Sequence, residues 1–174
     1  QGAIRIIDHL ELTEDSASPP ILRQYRYCIV MEFHSGGHAQ GPMPAADAAG
    51  IMTDVASVAQ QIHESGVIHR DLKPSNLLIS ESGRPVVSDF GIAWPVDSSG
   101  ETLTDGEGPF GTLGFAAPEV VRGDTPTVAS DVYSLGTTLF ALITGKPPFE
   151  DRSTVGLIQK IVHCDTPVSY THLT

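Results

Sequence analysis

His69-Arg70-Asp71-Leu72-Lys73-Pro74-Ser75-Asn76 is the most informative segment of this chain, and two further short segments follow it, Asp89-Phe90-Gly91 and Ala117-Pro118-Glu119. The chemically demanding positions of the first segment would coincide by chance on the order of once per million sites, at ordinary residue frequencies of about a twentieth each. The three segments in this order are therefore a specific signal.

The residue types in these segments suit phosphoryl transfer, in which a protein contributes mainly positioning and charge neutralisation. Asp71 can orient a substrate hydroxyl and accept its proton, and Lys73 can reach the transferred phosphate. Asn76 and Asp89 offer the hard oxygen ligands that magnesium prefers. The sequence therefore predicts that Asp71, Lys73 and Asn76 are catalytic, and that Asn76 and Asp89 bind the metal.

The combination resembles the eukaryotic-like (Hanks-type) protein kinases and is most similar to their bacterial Ser/Thr branch. The resemblance runs from about residue 4 to about residue 163, and it includes Ser130-Asp131-Val132-Tyr133-Ser134-Leu135-Gly136 and Leu142-Ile143-Thr144-Gly145-Lys146-Pro147-Pro148-Phe149. It implies an α+β, protein-kinase-like bilobal fold, here a mainly α-helical large lobe with two remnant small-lobe strands. Lys73-Pro74 and Gly111-Thr112 are similar to the Ser/Thr form of the family, so the expected substrates are Ser/Thr hydroxyls of proteins.

The resemblance divides the chain into three parts. Residues 1–38 would supply the remnant strands and the hinge between lobes, and residues 39–163 an incomplete large lobe whose closing helices are missing. Residues 164–174 would form an atypical tail, in which residues 165–174 resemble a translated sequencing adapter. Within the first part, residues 4–12 and 25–33 are rich in Ile, Val, Tyr and Phe and are predicted to be strands.

A helix and a hairpin are predicted around the first motif. Ile51, Val55, Val58 and Ile62 recur at spacings of three and four, which indicates an amphipathic helix over about residues 44–64 that ends at Gly66. Residues 77–79 and 86–87 flank turn residues and predict a hairpin. The catalytic segment therefore lies on a loop between these elements.

A second helix is predicted after the Ala-Pro-Glu segment. Ser130 is the expected N-cap and Gly145 the expected end, with an apolar face formed by Val132, Leu135, Leu139 and Leu142. The resemblance implies that this is the central helix of the large lobe, with Asp131 as a buried carboxylate that holds the backbone of the catalytic loop.

The resemblance also implies a site for ATP and Mg²⁺. It places Met31 at the gatekeeper position, Leu78 beneath the adenine, and the Glu32 carbonyl and the His34 amide in the hinge that reads the adenine. Asp89 would face the metal and the phosphates. ATP and Mg²⁺ are therefore the expected cofactors.

By the same resemblance, residues 89–119 are an activation segment. Thr102 and Thr104 are its candidate phosphorylation sites, because an added phosphate can pair with Arg70. The alternative is an unmodified flexible loop. The resemblance also implies that the Thr112 hydroxyl bridges Asp71 and Lys73, which makes Thr112 a further catalytic residue.

Two histidines near the motif invite functional readings. His69 is either a base near the reaction or a packed histidine that supports Phe90, and the second reading is favoured because Asp71 already fills the base role. His63-Glu64 lacks the second histidine that a zinc-protease helix needs.

Composition limits the partners. A net charge of −11 argues against nucleic acid, whose binding normally requires clustered Lys and Arg. Cys28 and Cys164 show no metal-binding spacing, and no apolar run is long enough to span a bilayer. The kinase domain is expected to be cytoplasmic, in a parent protein that can be membrane-anchored, and the oligomeric state is left open.

Three parts of a kinase are not found in the sequence: the Gly-rich loop, the strand lysine for the phosphates, and its helix glutamate partner. The chain is therefore expected to be a fragment that is inactive by itself. Two alternatives remain open for the parent protein. One is a pseudokinase scaffold, and the presence or absence of the strand lysine in the parent protein would distinguish it from an active kinase. The other is a small-molecule phosphotransferase of the antibiotic- or choline-kinase type, whose members usually lack Asp-Phe-Gly followed by Ala-Pro-Glu.

Overall fold

The computed structural model describes residues 2–11, 27–90 and 113–163. Within these ranges the strands are β1 (Ile6–Glu11), β2 (Tyr27–Met31), β3 (Leu77–Ile79) and β4 (Pro85–Val87). The helices are α1 (Ala45–Glu64), α2 (Pro118–Val121), α3 (Val128–Thr144) and α4 (Thr154–His163), and Pro74–Asn76 forms a short 3₁₀ turn. No helix of the described ranges is long and apolar enough to cross a membrane.

The four strands form two separate antiparallel pairs. β1 pairs with β2, with a register irregularity between Ile6 and Asp8, and β3 pairs with β4 from Leu77 opposite Val87 to Ile79 opposite Pro85. Both predicted strands of the first part and the predicted hairpin are confirmed; among the described residues, β1 begins at Ile6 instead of residue 4, and β2 ends at Met31 instead of residue 33.

The second hairpin is flanked by chain on both sides. Ile4 N donates to Val87 O at 2.8 Å, and on the other edge Ala39 N donates to Leu77 O at 2.7 Å. A Cβ on Gly36 would lie 2.4 Å from Ile79 O, so only glycine allows the segment after β2 to approach β3 this closely. The hairpin is thereby fixed between the hinge segment and the first residues of the chain.

Helix α1 ends as its sequence predicts. Gly66 adopts a φ of +78°, Gly66 N donates to His63 O, and Val67 N donates to Ile62 O at 3.2 Å. These two hydrogen bonds form a Schellman motif, which satisfies carbonyls that the helix end would otherwise leave unpaired. The motif also reverses the chain, so Val67 leads directly into the catalytic segment.

Helix α3 differs from its prediction at its start. It begins at Val128 with Thr127 as the N-cap, so Ser130 is not the N-cap and instead accepts the Thr127 N–H at its Oγ, at 3.2 Å. The predicted apolar face is also wrong at Val132, which is 57% exposed. The buried face is partly polar, because it supplies hydrogen bonds to neighbouring loops; its buried members are Ser130, Asp131, Ser134, Thr137, Thr138, Ala141 and Leu142.

The main hydrophobic core lies between α1, α3 and the β3–β4 hairpin. Its largest fully buried members are Val55, Leu72, Leu77, Val87 and Leu142, each at most 1% exposed. Leu72 belongs to the catalytic segment itself, so the core anchors that loop directly. A second cluster forms where α4 meets the preceding loop, around Phe149, Leu157 and Ile161.

Candidate active site

The catalytic segment is built around one buried carboxylate on α3. Asp131 is 1% exposed, and its Oδ2 accepts the His69 N–H at 2.8 Å while its Oδ1 accepts the Arg70 N–H at 2.9 Å. His63 Nε2, from the last turn of α1, lies 2.7 Å from the same Oδ2. The expectation that Asp131 is buried and holds the catalytic loop is confirmed.

A second contact from α3 holds the loop further along. The Thr138 hydroxyl donates to Leu72 O at 3.2 Å, and both residues are 1% exposed. Asp131 and Thr138, which are about two turns apart on α3, therefore bind the loop backbone on either side of Asp71. The position of Asp71 is set by the helix and not by the loop alone.

The bonds to Asp131 coincide with a strained backbone. Arg70 has a φ of +73°, a conformation that costs a non-glycine residue about 1–2 kcal/mol. Because Asp131 holds the N–H groups of His69 and Arg70, the chain turns sharply there. His69 points inward and is fully buried, whereas Arg70 is exposed.

His69 is a packed histidine. Its Nε2–H donates to Ser88 O at 3.0 Å, its Nδ1 accepts the Asp71 N–H at 3.3 Å, and its ring lies 4.7 Å from that of Phe90. Burial lowers the pKa of His69 below its ordinary value, although the bond to Ser88 and the nearby carboxylates act against this. A neutral imidazole fits both hydrogen bonds, so His69 supports the loop.

The predicted catalytic residues lie together. Lys73 Nζ is 3.1 Å from Asp71 Oδ2, and Asn76 Nδ2 donates to Asp71 O at 2.7 Å and to Asp71 Oδ2 at 2.9 Å. The 3₁₀ turn over Pro74–Asn76 brings Asn76 back towards Asp71, with Asn76 N donating to Lys73 O at 3.0 Å. Asp71 and Lys73 are partly exposed, so both can reach a substrate.

The second predicted metal ligand follows β4. Asp89 has a φ of +53° and is exposed, and Ser88 N donates to Asn76 O at 2.9 Å. This bond joins the segment that carries Asp89 to the segment that carries Asn76. Both contacts of the Asn76 Nδ2 go to Asp71, which leaves the side-chain oxygen Oδ1 of Asn76 as the predicted ligand atom. Within the described ranges no group of three or more His, Cys, Asp or Glu side chains could hold a metal by itself.

The predicted hinge residues follow β2 directly. Glu32 is tied to the first segment by Arg5 N, which donates to Glu32 Oε1 at 3.2 Å, and by Glu32 N, which donates to Arg5 O at 3.1 Å. His34 Nε2 is buried and lies 3.4 Å from Glu32 Oε1, without hydrogen-bond geometry. Met31 is 38% exposed, and Leu78 is half-buried beside the hinge segment, where it forms a bridge with His38.

Three of the predicted site residues, Thr102, Thr104 and Thr112, lie outside the described residues. Their roles stay predictions.

Sequence reasoning missed His63 as a partner of the site. It lies four residues after Ala59 and eight after Val55, both buried, so it belongs to the buried stripe of α1. A histidine on such a stripe requires a hydrogen-bond partner, and this signal was available from the sequence. Glu119 was also missed as a partner of Ser130, whose Oγ donates to Glu119 Oε1 at 2.7 Å.

Known proteins resemble the chain over most of its length. The profile of the family described as "Protein kinase domain" matches residues 4–171, which includes residues 164–171 of the tail segment. The serine/threonine-protein kinase PknB of Mycobacterium tuberculosis is 38% identical over 83% of this chain and 24% of its own length. The serine/threonine-protein kinase PrkC of Bacillus subtilis is 37% identical over 81% of this chain and 22% of its own length.

A probable serine/threonine-protein kinase PknB of Bifidobacterium longum is 38% identical over 81% of this chain and 21% of its own length. The chain thus spans less than a quarter of the curated relatives named here. The matches agree with a mainly helical fold that retains a few strands, which is the architecture of the described residues.

Replacing His63 with Ala should destabilise the protein, because it removes one of the donors to the buried Asp131 carboxylate. We expect the free energy of unfolding in urea to fall by about 1.5–3 kcal/mol, the range for a hydrogen bond to a charged group. His163→Ala is the matched control, since His163 also lies in the last turn of a helix but is exposed, and its Nδ1 bonds Gln159 O in the same helix. The control should change stability by less than about 0.5 kcal/mol. Equal losses in the two variants would contradict a specific role for His63.

Proposed function

Since the chain belongs to the protein kinase domain family, we propose that it is the catalytic part of a Ser/Thr protein kinase, which transfers the γ-phosphate of ATP to Ser/Thr hydroxyls of proteins. The observation that carries this proposal is the cluster of Asp71, Lys73 and Asn76, held together by side-chain bonds of 2.9 and 3.1 Å. The relatives named as serine/threonine-protein kinases support the choice of substrate class.

Asp71 acts as the base. Its carboxylate accepts the proton of the substrate hydroxyl while the hydroxyl oxygen bonds to the γ-phosphorus and the bond to the β,γ-bridging oxygen breaks. The contacts from Lys73 and Asn76 orient this carboxylate in the free protein. Lys73, which is partly exposed, neutralises negative charge that develops on the transferred phosphoryl group. Thr112 would position Asp71 and Lys73 further, as the family resemblance implies.

Magnesium fits the donor set that the chain offers. The side-chain oxygen Oδ1 of Asn76 and the carboxylate of the exposed Asp89 are hard oxygen ligands. Magnesium usually takes one or two carboxylates with substrate phosphates. When bound, the ion neutralises phosphate charge and orients the leaving group. The Ser88 N–H···Asn76 O bond joins the backbone next to Asp89 to the backbone of Asn76, which supports a single site for the two ligands.

The adenine of ATP would meet the main chain after β2. Among the described residues, neither the Glu32 carbonyl nor the His34 N–H has a backbone partner, which leaves both to read the adenine. The hydrogen bonds between Arg5 and Glu32 stabilise this segment. Met31 and Leu78 would supply apolar contacts on either side of the base.

A phosphorylation switch is part of the proposal. Arg70 is exposed, and its backbone N–H is held by Asp131. The guanidinium therefore extends from a fixed backbone position next to Asp71. A phosphate on Thr102 or Thr104 would add nearly two negative charges and pair with Arg70, which would order the activation segment.

Replacing Asp71 with Asn in the full-length protein should abolish activity, because an amide cannot accept the substrate proton. We expect radiolabel transfer from ATP to a generic Ser/Thr protein substrate to fall by about 10²–10⁴-fold. Asp54→Asn, a change of the same kind at an exposed position of α1, should leave transfer unchanged. Transfer that persists in Asp71→Asn would contradict the mechanism.

Two other results of the same assay would contradict the proposed class. Nucleotide binding by the unaltered protein without any turnover would indicate a pseudokinase scaffold. Transfer to aminoglycosides or choline but not to protein would indicate a small-molecule phosphotransferase.

The switch predicts that Thr102→Ala and Thr104→Ala together reduce the activity of the phosphorylated full-length protein to that of the phosphatase-treated protein. The reason is that Arg70 would lack the phosphate with which it pairs. Protein-kinase assays before and after phosphatase treatment measure this, with Thr53→Ala on α1 as an exposed control. Unchanged activity in the double variant would exclude the switch.

A further inference from the structure

Ser88 connects the three parts of the site. It lies between β4 and Asp89 and is 1% exposed. Its N–H donates to Asn76 O at 2.9 Å, and its carbonyl accepts the His69 Nε2–H at 3.0 Å. Its hydroxyl lies 3.2 Å from Asn76 O and 3.3 Å from Asp89 Oδ2. Every polar atom of Ser88 therefore contacts a residue of one of the motifs.

The hydroxyl has one hydrogen and two acceptors within reach. The backbone carbonyl of Asn76 already accepts the Ser88 N–H, so this carbonyl keeps a partner wherever the hydroxyl points. The Asp89 carboxylate is charged, and a hydrogen bond to a charged acceptor is the stronger of the two. The hydroxyl therefore favours Asp89 and can turn to Asn76 without leaving a buried group unpaired.

Asp89 benefits from such a contact. Its φ of +53° places it in the left-handed region, and its side chain is exposed. The hydrogen bonds of the Ser88 backbone fix the position of the Asp89 backbone, but they do not fix the side-chain rotation of the Asp89 carboxylate. The Ser88 hydroxyl restrains that rotation from the buried side.

We propose that the Ser88 hydroxyl is a positioning group that orients the Asp89 carboxylate relative to Asn76 and thereby sets the affinity of the site for a divalent cation. This inference rests on the proposed function, in which Asn76 and Asp89 are the metal ligands. Groups that orient a metal ligand typically change metal affinity by 10–100-fold when removed. We expect the lower end of this range, about tenfold, because the backbone bond between Ser88 and Asn76 remains when the hydroxyl is removed.

The test uses the full-length protein with ADP and Mn²⁺, a paramagnetic probe of magnesium sites, and measures bound Mn²⁺ by electron paramagnetic resonance. Ser88→Ala should weaken Mn²⁺ binding about tenfold. Ser88→Thr retains the hydroxyl and should bind Mn²⁺ within about twofold of the unaltered protein. The matched control is Ser134→Ala, because Ser134 on α3 is also buried, at 6% exposed, but its hydroxyl donates to Phe115 O and contacts neither metal ligand.

A kinetic readout separates positioning from a loss of structure. In Ser88→Ala the Mg²⁺ concentration for half-maximal activity should rise about tenfold, while kcat at saturating Mg²⁺ stays within about twofold of the unaltered protein. A structural defect would lower kcat at every Mg²⁺ concentration.

The outcomes distinguish this inference from the function on which it rests. If the unaltered protein does not bind Mn²⁺ with ADP, both are overturned. If it binds Mn²⁺ and Ser88→Ala binds equally well, only the inference is overturned. Equal losses in Ser88→Ala and Ser88→Thr, or in Ser88→Ala and Ser134→Ala, also overturn it, because packing and not the hydroxyl would then be responsible.

Discussion

The candidate active site depends on the burial of a single charge, the carboxylate of Asp131. An ionised carboxylate that is removed from water is costly unless hydrogen bonds compensate for it. Here three donors do so: the N–H groups of His69 and Arg70 and the imidazole of His63. Because these donors come from the catalytic loop and from α1, the carboxylate can be satisfied only when α1, α3 and the loop are assembled. One electrostatic requirement therefore links the fold to the site.

The geometry of the site follows from that link. The turn at Arg70 directs His69 into the interior, where its ring contacts Phe90 and its Nε2–H reaches Ser88. Ser88 in turn bonds Asn76 and lies against Asp89. A continuous chain of hydrogen bonds thus runs from α3 through the loop that carries Asp71 to the residues proposed to bind the metal.

Much of this arrangement could be predicted from the sequence, and the exceptions have a common physical cause. Periodicity and glycine positions gave the extent of α1 and the end of α3 at Gly145, because these are local properties of the chain. The start of α3 was misplaced because Ser130 bonds Thr127 and Glu119, and the second bond is not local. His63 and Ser88 were missed for the same reason. Their partners are 68 and 12 residues away, so the buried stripe of α1 indicates that His63 needs a partner, but no spacing rule identifies which residue it is.

The most direct test of the role of Asp131 is amide hydrogen exchange at His69 and Arg70, compared between the unaltered protein and Asp131→Asn. If the carboxylate holds the loop, both amides are strongly protected, and the substitution lowers their protection about tenfold to a hundredfold, which corresponds to about 1.5–3 kcal/mol for a hydrogen bond to a charged group. The amides at the centre of α1, such as that of Val55, should change less. Protection at His69 and Arg70 that is unaffected by Asp131→Asn, or absent in the unaltered protein, would contradict the account.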